Sequence, residues 1–169
     1  MESDRSDGVE MVRSDSDPGA SRLRASIFVE RPIEEVFAFF SNAHNLQRIT
    51  PHYLEFNILT PAPIDMREGA LIDYKLRVRG IPIRWRTRIS EWAPPYRFVD
   101  EQIRGPYRLW RHEHRFESEN GGTRVRDDVT FRPIGGALMT WLFVGRDVRR
   151  IFEYRSSVLS RIFAEESSS

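Results

Sequence analysis

The chain has 169 residues, 40% hydrophobic and 30% charged, the composition of one folded domain rather than a disordered polymer. It has no cysteine, which excludes disulfides, thiolate catalysis and Cys-ligated zinc. A formal net charge of +1 gives no global attraction to nucleic acid, and no apolar run approaches the ~20 residues of a membrane span.

Residues 1–21 are acidic and serine-rich and read as a disordered tail, neither signal nor transit peptide, so a cytoplasmic location is expected. The folded domain is expected over 22–164, with 165–169 a second short tail. "RLRASIFVE" alternates, with Leu23, Ala25, Ile27 and Val29 on one face of a half-buried strand. Pro32 ends it and opens a helix over "PIEEVFAFFS", with Glu34 and Glu35 in the first turn and Ile33, Val36, Phe37 and Phe40 on one stripe. Asn42 caps a second short helix that stops before Pro51. Helices this short need something to close over.

From Tyr53 the period becomes two, and "YLEFNILT" reads as a strand. The next two strands place Ile72, Tyr74, Leu76, Ile83, Trp85, Thr87 and Ile89 on the apolar face. With a turn at Gly80-Ile81, Arg77 faces Arg84 and Lys75 faces Arg86 across the other, an arginine-rich stripe. "APPY" and Gly105-Pro106 are turns on either side of "RFVDEQIR", and "NGG" is a hairpin signal before "TRVRDDVTFRPI". The last segment is helical, with Trp141, Val144, Val148, Ile151, Phe152, Leu159 and Ile162 on one stripe. The order is strand, two short helices, six antiparallel strands, long helix. That is an α+β fold with a seven-stranded sheet whose one buried face meets the last helix.

"ASIFVERPIEEVFAFFSNAHNLQRITP", "RFVDEQIRGPYRLWRHEHRF", "GTRVRDDVTFRP" and "RRIFEYR" together resemble the START-like superfamily, the birch-pollen-allergen-like SRPBCC proteins. The middle blocks are most similar to the polyketide cyclase/dehydrase and coenzyme Q-binding START branch. The resemblance implies a helix-grip fold: a curved sheet wrapped around a long C-terminal helix, with a cavity for an apolar ligand between them. It does not imply one reaction, because the superfamily includes lipid carriers, cyclases and plain binding proteins.

The chemistry concentrates in "WRHEHRF", residues 110–116. Trp110, His112, His114 and Phe116 share a face, and the flanking aromatics make it the inward one. If Asn120-Gly121 is the turn, Phe116 opposes Val125, His114 opposes Asp127, His112 opposes Val129 and Trp110 opposes Phe131. A slip of one residue would turn Asp127 outward. A carboxylate beside an imidazole either makes a structural hydrogen bond or orients the ring for a ligand or for proton transfer. A metal is not expected: the arrangement imitates a cupin motif, but no third histidine follows His114. Arg155 is the single charge in the last helix's apolar stripe and must find an anion, Asp127 or Asp100. Phe98, Asp100 and Gln102 face inward if one neighbouring turn carries a bulge.

The expected cavity residues are therefore Tyr74, Trp85, Phe98, Asp100, Gln102, Trp110, His112, His114, Phe116, Asp127, Trp141 and Arg155. No nucleophile is assembled beside a histidine, which favours a binding or transport protein for a lipid, isoprenoid quinone or polyketide-like molecule, without cofactor. The alternative is a polyketide aromatase/cyclase or dehydratase, with His112, His114, Asp127 and Arg155 as the catalytic candidates. A third reading uses the arginine stripe for peripheral contact with an anionic membrane or an acidic partner. Nucleic acid is not an expected partner, and the oligomeric state is left open.

Overall fold

The structure is a computed structural model, and it describes residues 7–14, 17, 19–135 and 144–165. Its elements in chain order are β1 (Gly8–Arg13), β2 (Ser21–Val29), α1 (Ile33–Ser41), α2 (Asn45–Arg48), a 3-10 turn (His52–Leu54), β3 (Asn57–Ile58), β4 (Leu71–Val78), β5 (Ile81–Ala93), β6 (Arg97–Arg104), β7 (Tyr107–Glu119), β8 (Gly122–Pro133) and α3 (Gly145–Glu165). The described strands form one antiparallel sheet in the order β1-β2-β8-β7-β6-β5-β4-β3. This is the helix-grip arrangement expected from the sequence.

The sheet has eight strands among the described residues, not seven. The extra one, β1, lies inside the segment that reads as a disordered tail. It pairs along β2, Val9 opposite Ala25 and Met11 opposite Leu23. Val9 packs against the cluster of Leu23, Ala25, Val129, Phe131, Val148 and Phe152. Asp7 fastens its start by accepting from the Phe28 amide and from Arg124. A short edge strand needs only one apolar face, so its polar flanks mask it. Of the expected C-terminal tail, residues from 166 on lie outside the described residues, and Glu165 is still helical.

α3 packs over β1 and β2. Val148 and Phe152 join the cluster just named, while Val158, Leu159 and Phe163 join a second core with Ile27, Val36, Phe37, Phe116 and Val125. The helix therefore fills one half of the concave face. Over the other half, β4 to β7, lies the segment from α1 to the 3-10 turn, with Phe37 of α1 packed edge-on against Phe98 and Phe116.

Two local readings change. "YLEFNILT" is not one strand: Tyr53 and Leu54 are in the 3-10 turn, Glu55 takes a left-handed conformation with φ 43°, and only Asn57 and Ile58 pair. The β4–β5 turn is centred on Arg79-Gly80, both at positive φ (51° and 80°), one residue earlier than expected. That moves the register by two, so Lys75 faces Arg84 but Arg86 faces Asp73 rather than Lys75. Arg86 donates to both Asp73 oxygens at 2.7 and 2.8 Å, and the anticipated row of like charges is broken.

A buried polar cluster in an aromatic cavity

The β7–β8 hairpin has the register expected from "NGG": Phe116 opposite Val125, His114 opposite Asp127, His112 opposite Val129 and Trp110 opposite Phe131. β6 lies on the other side of β7, with Phe98 opposite His114 and Asp100 opposite His112. The required shift of face lies in β5 itself, where the pairing passes from Ile89–Asp100 to Glu91–Val99 and leaves Ser90 over. The bulge keeps both Phe98 and Asp100 on the concave face.

Between that face, α3 and the α1-to-β3 segment lies a cavity of about 350 Å³, within the range of small-molecule sites. Phe39, Phe40, Leu46, Ile49 and Tyr53 cover it from the helical side. Ile72, Tyr74, Trp85, Ile89 and Trp110 form its sheet wall, and Val148, Ile151 and Phe152 come from α3. Trp85 stacks on Tyr74 at 5.9 Å and meets Trp110 edge-on at 5.2 Å. Thr87 satisfies the polar ends of this wall, accepting from the Trp85 indole at 3.1 Å and lying 3.0 Å from the Tyr74 hydroxyl. Alternation places Thr87 on the apolar face, but nothing in the sequence singles it out as the partner of two aromatics.

Asp100, His112, His114 and Arg155 bring charge to the cavity lining. The two imidazoles lie 3.7 Å apart, centroid to centroid, between two carboxylates. His112 Nε2 donates to Asp127 Oδ1 at 2.9 Å, and His114 Nε2 donates to Asp100 Oδ2 at 3.0 Å. The second nitrogens complete a diamond: His114 Nδ1 is 2.8 Å from Asp127 Oδ1 and His112 Nδ1 is 3.6 Å from Asp100 Oδ2. The 2.8 Å contact is off the hydrogen-bond direction, so it is an electrostatic contact rather than an aligned bond. Arg155 Nε lies 3.6 Å from Asp127 Oδ2, with its guanidinium over the rings of Phe40 and Phe152. Phe98 stacks on His114 at 4.1 Å.

The protonation of this cluster follows from its geometry. Burial pushes the His114 imidazole down, but the bond to Asp100 and the close Asp127 carboxylate outweigh it and hold the ring above its ordinary value. A bare nitrogen lone pair 2.8 Å from a carboxylate would be repulsive, so His114 is the charged ring. His112 goes the other way: burial, reinforced by charged His114, keeps it neutral against the pull of Asp127. Burial raises both carboxyls, yet Arg155 and the two histidines hold Asp127 well below its usual range, and the histidines lower Asp100 as well. Two carboxylates, one imidazolium and one guanidinium sum to zero, which allows the group to sit in a region with little water.

Of the expected cavity residues, Tyr74, Trp85, Phe98, Asp100, Trp110, His112, His114 and Arg155 line it. Three do not. Gln102 turns back and clamps the β6–β7 turn, donating to the Tyr107 carbonyl at 2.7 Å and accepting from its amide at 3.3 Å. Phe116 is buried in the core under α1. Asp127 lies behind the histidines, which separate it from the cavity. Trp141 lies outside the described residues. On the opposite face Arg77, Arg86 and Arg88 pair with Glu55, Asp73 and Glu101, so much of the arginine stripe is neutralised within the protein.

Solved structures share the fold at low sequence identity. Protein CV1439 from Chromobacterium violaceum is 14% identical, with a TM-score of 0.68 over 87% of this chain and 98% of that one. TTHA0849 from Thermus thermophilus is 20% identical, with a TM-score of 0.60 over 82% and 91%. The ginseng major latex-like protein 151 from Panax ginseng is 8% identical, with a TM-score of 0.62 over 86% and 98%. No curated protein is significantly similar to the chain in sequence. The profile of the family described as "Polyketide cyclase / dehydrase and lipid transport" matches residues 29–153, and with the grip fold and its cavity in place, the chain belongs to that family.

Proposed function

We propose that the protein binds and carries an apolar small molecule, a lipid, isoprenoid quinone or polyketide-like compound, without transforming it. The observation that carries this reading is the cavity: its lining is mostly aromatic and aliphatic, with Asp100, His112, His114 and Arg155 in one polar cluster and the more exposed Arg79–Asp147 ion pair also in the lining. An amphiphile fits such a lining, its apolar body against Trp85 and Trp110 and one polar end against the cluster. No helix among the described residues is long and apolar enough to cross a membrane, and we read the protein as acting in the cytoplasm.

The test is native mass spectrometry of the freshly purified protein, followed by titration of delipidated protein with a short-chain quinone and a fatty acid. Binding is expected to quench tryptophan emission, because Trp85 and Trp110 line the cavity, and to raise the melting temperature. Saturation at a hundred times Kd stabilises by about 2.7 kcal/mol. Failure of both probes to move either signal, with no co-purified ligand, would sink the carrier reading.

A second reading is supported by the cluster itself. Neutral His112, oriented by its bond to Asp127, and charged His114 supply a base and an acid on one wall, as an aromatase/cyclase or dehydratase acting on a polyketide-like chain requires. Turnover of a poly-β-ketone analogue that disappears in His112→Gln would favour this reading over simple carriage.

A further inference from the structure

We propose that Asp100, His112 and His114 form a binding site for one divalent first-row transition-metal ion, of the two-histidine, one-carboxylate type, opening into the cavity. The sequence argument against a metal rests on the want of a third histidine. In the folded protein the third donor is a carboxylate from the neighbouring strand. One candidate ligand atom from each of the three residues lies within 4.8 Å of the others. His112 Nδ1 and His114 Nε2 both approach the same oxygen, Asp100 Oδ2, at 3.6 and 3.0 Å. An ion bound at about 2.0–2.2 Å from each ligand needs donors no more than about 4.3 Å apart. The two histidine–Asp100 pairs meet that condition, and the two imidazole donors lie within 4.8 Å of each other, close enough for a small rotation of the rings to bring them in.

The second observation is independent of the first. The ring nitrogens that do not face Asp100 both face one oxygen of Asp127, at 2.9 Å from His112 and 2.8 Å from His114. A ligating histidine characteristically turns its other nitrogen to a carboxylate that fixes the ring and strengthens it as a ligand. Here a single buried carboxylate takes the hydrogen bond of His112 and lies in electrostatic contact with His114, and Arg155 anchors that carboxylate from α3. Four residues on three adjacent strands thus divide into three donors toward the cavity and one support behind them. All three donors line the cavity, so an ion held by them has positions open toward it, as in sites that bind a substrate oxygen. Imidazole ligates in its neutral form, so the affinity for the ion is expected to fall as the pH is lowered. The nitrogen and oxygen donor set suits zinc, iron, cobalt or manganese rather than calcium or magnesium.

The experiment uses the full chain, stripped with EDTA and dialysed, then titrated with cobalt(II) chloride and zinc sulfate. One equivalent of Co²⁺ is expected, with visible d–d absorption and a melting temperature raised by either ion. His112→Ala and His114→Ala should abolish the equivalent, and Asp127→Asn should weaken it by about 10- to 100-fold. Asp100→Asn is the variant to read if a histidine replacement does not fold, and it too should lose the equivalent. His44 and His52 are exposed and distant in sequence from the cluster, and replacing them should leave binding unchanged. Absence of a bound equivalent in wild type, or binding that survives in Asp100→Asn and is lost with His44 or His52, overturns the proposal. None of these readouts requires the apolar ligand, so the metal site and the carrier reading fail separately.

Discussion

Residues 111–115, Arg-His-Glu-His-Arg, build two charged clusters on opposite faces of one strand. Inward, His112 and His114 lie between Asp100 and Asp127 in the protein interior. Outward, Glu113 takes hydrogen bonds from Arg97 and Arg115 at 2.6 Å each and from Arg111 at 3.2 Å. Glu91 ties Arg97 and Arg111 together on the same face, at 2.7 and 3.1 Å. The outer cluster uses cations that never titrate near neutrality and that reach water: Arg115 is 56% exposed on its side chain. The inner one uses side chains whose charge is set by their neighbours, and its members are nearly sealed. Alternation of a strand thus separates a permanent surface lattice from a tunable interior one within a single short stretch.

The contrast predicts unequal consequences of removing one carboxylate from each side. Asp127→Asn strands Arg155 in the interior and leaves His114 with Asp100 as its single carboxylate, and it is expected to cost about 3–5 kcal/mol in urea unfolding. The double variant Asp127→Asn with Arg155→Met should recover part of that, and strictly additive losses would show that the two residues do not interact. Glu113→Gln leaves arginines that can rehydrate, so a smaller loss of about 1–3 kcal/mol is expected. Raising the salt to about 1 M should shrink the Glu113 effect and leave the Asp127 effect nearly unchanged, because screening reaches only the exposed cluster. Equal salt sensitivity of the two variants would erase the distinction between the faces.

Acid should dissect the outer cluster further. Burial raises the Glu113 carboxyl, but the bonds from Arg115, Arg111 and Arg97 prevail and bring it from 4.5 down to about 2. A group depressed in the folded state contributes fully above its unfolded value and loses that contribution as pH falls through the folded one. The stability difference between wild type and Glu113→Gln is therefore expected to be constant above pH 4.5 and to close as pH approaches 2. The smallest effect belongs to Asp73→Asn. It removes a two-pronged bond to Arg86, but both side chains are more than a third exposed, and a loss of about 0.5 kcal/mol is expected in the same unfolding assay.

The inner cluster is partly legible in the sequence because its components obey short-range rules. A two-residue turn at Asn120-Gly121 counts residues outward with no slack, so the His114–Asp127 pairing follows from the hairpin alone. Helical periodicity places Arg155 on the buried stripe, and the cost of burying a lone cation demands its anion. Asp100 and Gln102 are harder, because their face depends on where a bulge falls. The bulge at Ser90 keeps Asp100 inward, while Gln102 finds a local use in the β6–β7 turn that alternation does not foresee. Asp127 separates facing inward from touching the cavity, because two imidazole rings stand between the carboxylate and the open space. The β4–β5 turn escapes a sequence reading because Arg79 occupies a positive-φ position normally left to glycine or asparagine.

The added strand β1 bears on how copies of the chain meet one another. Without it β2 would be the outermost strand on that side, and its nine residues, Ser21–Val29, would present a row of unpaired amides and carbonyls to any passing polypeptide. β1 covers six of those positions, from Ser21 to Ser26. At the opposite margin the sheet tapers to the two residues of β3. The free edges are thereby shortened to six residues at β1 and two at β3, each a poorer template for further strand addition than a nine-residue β2 would be.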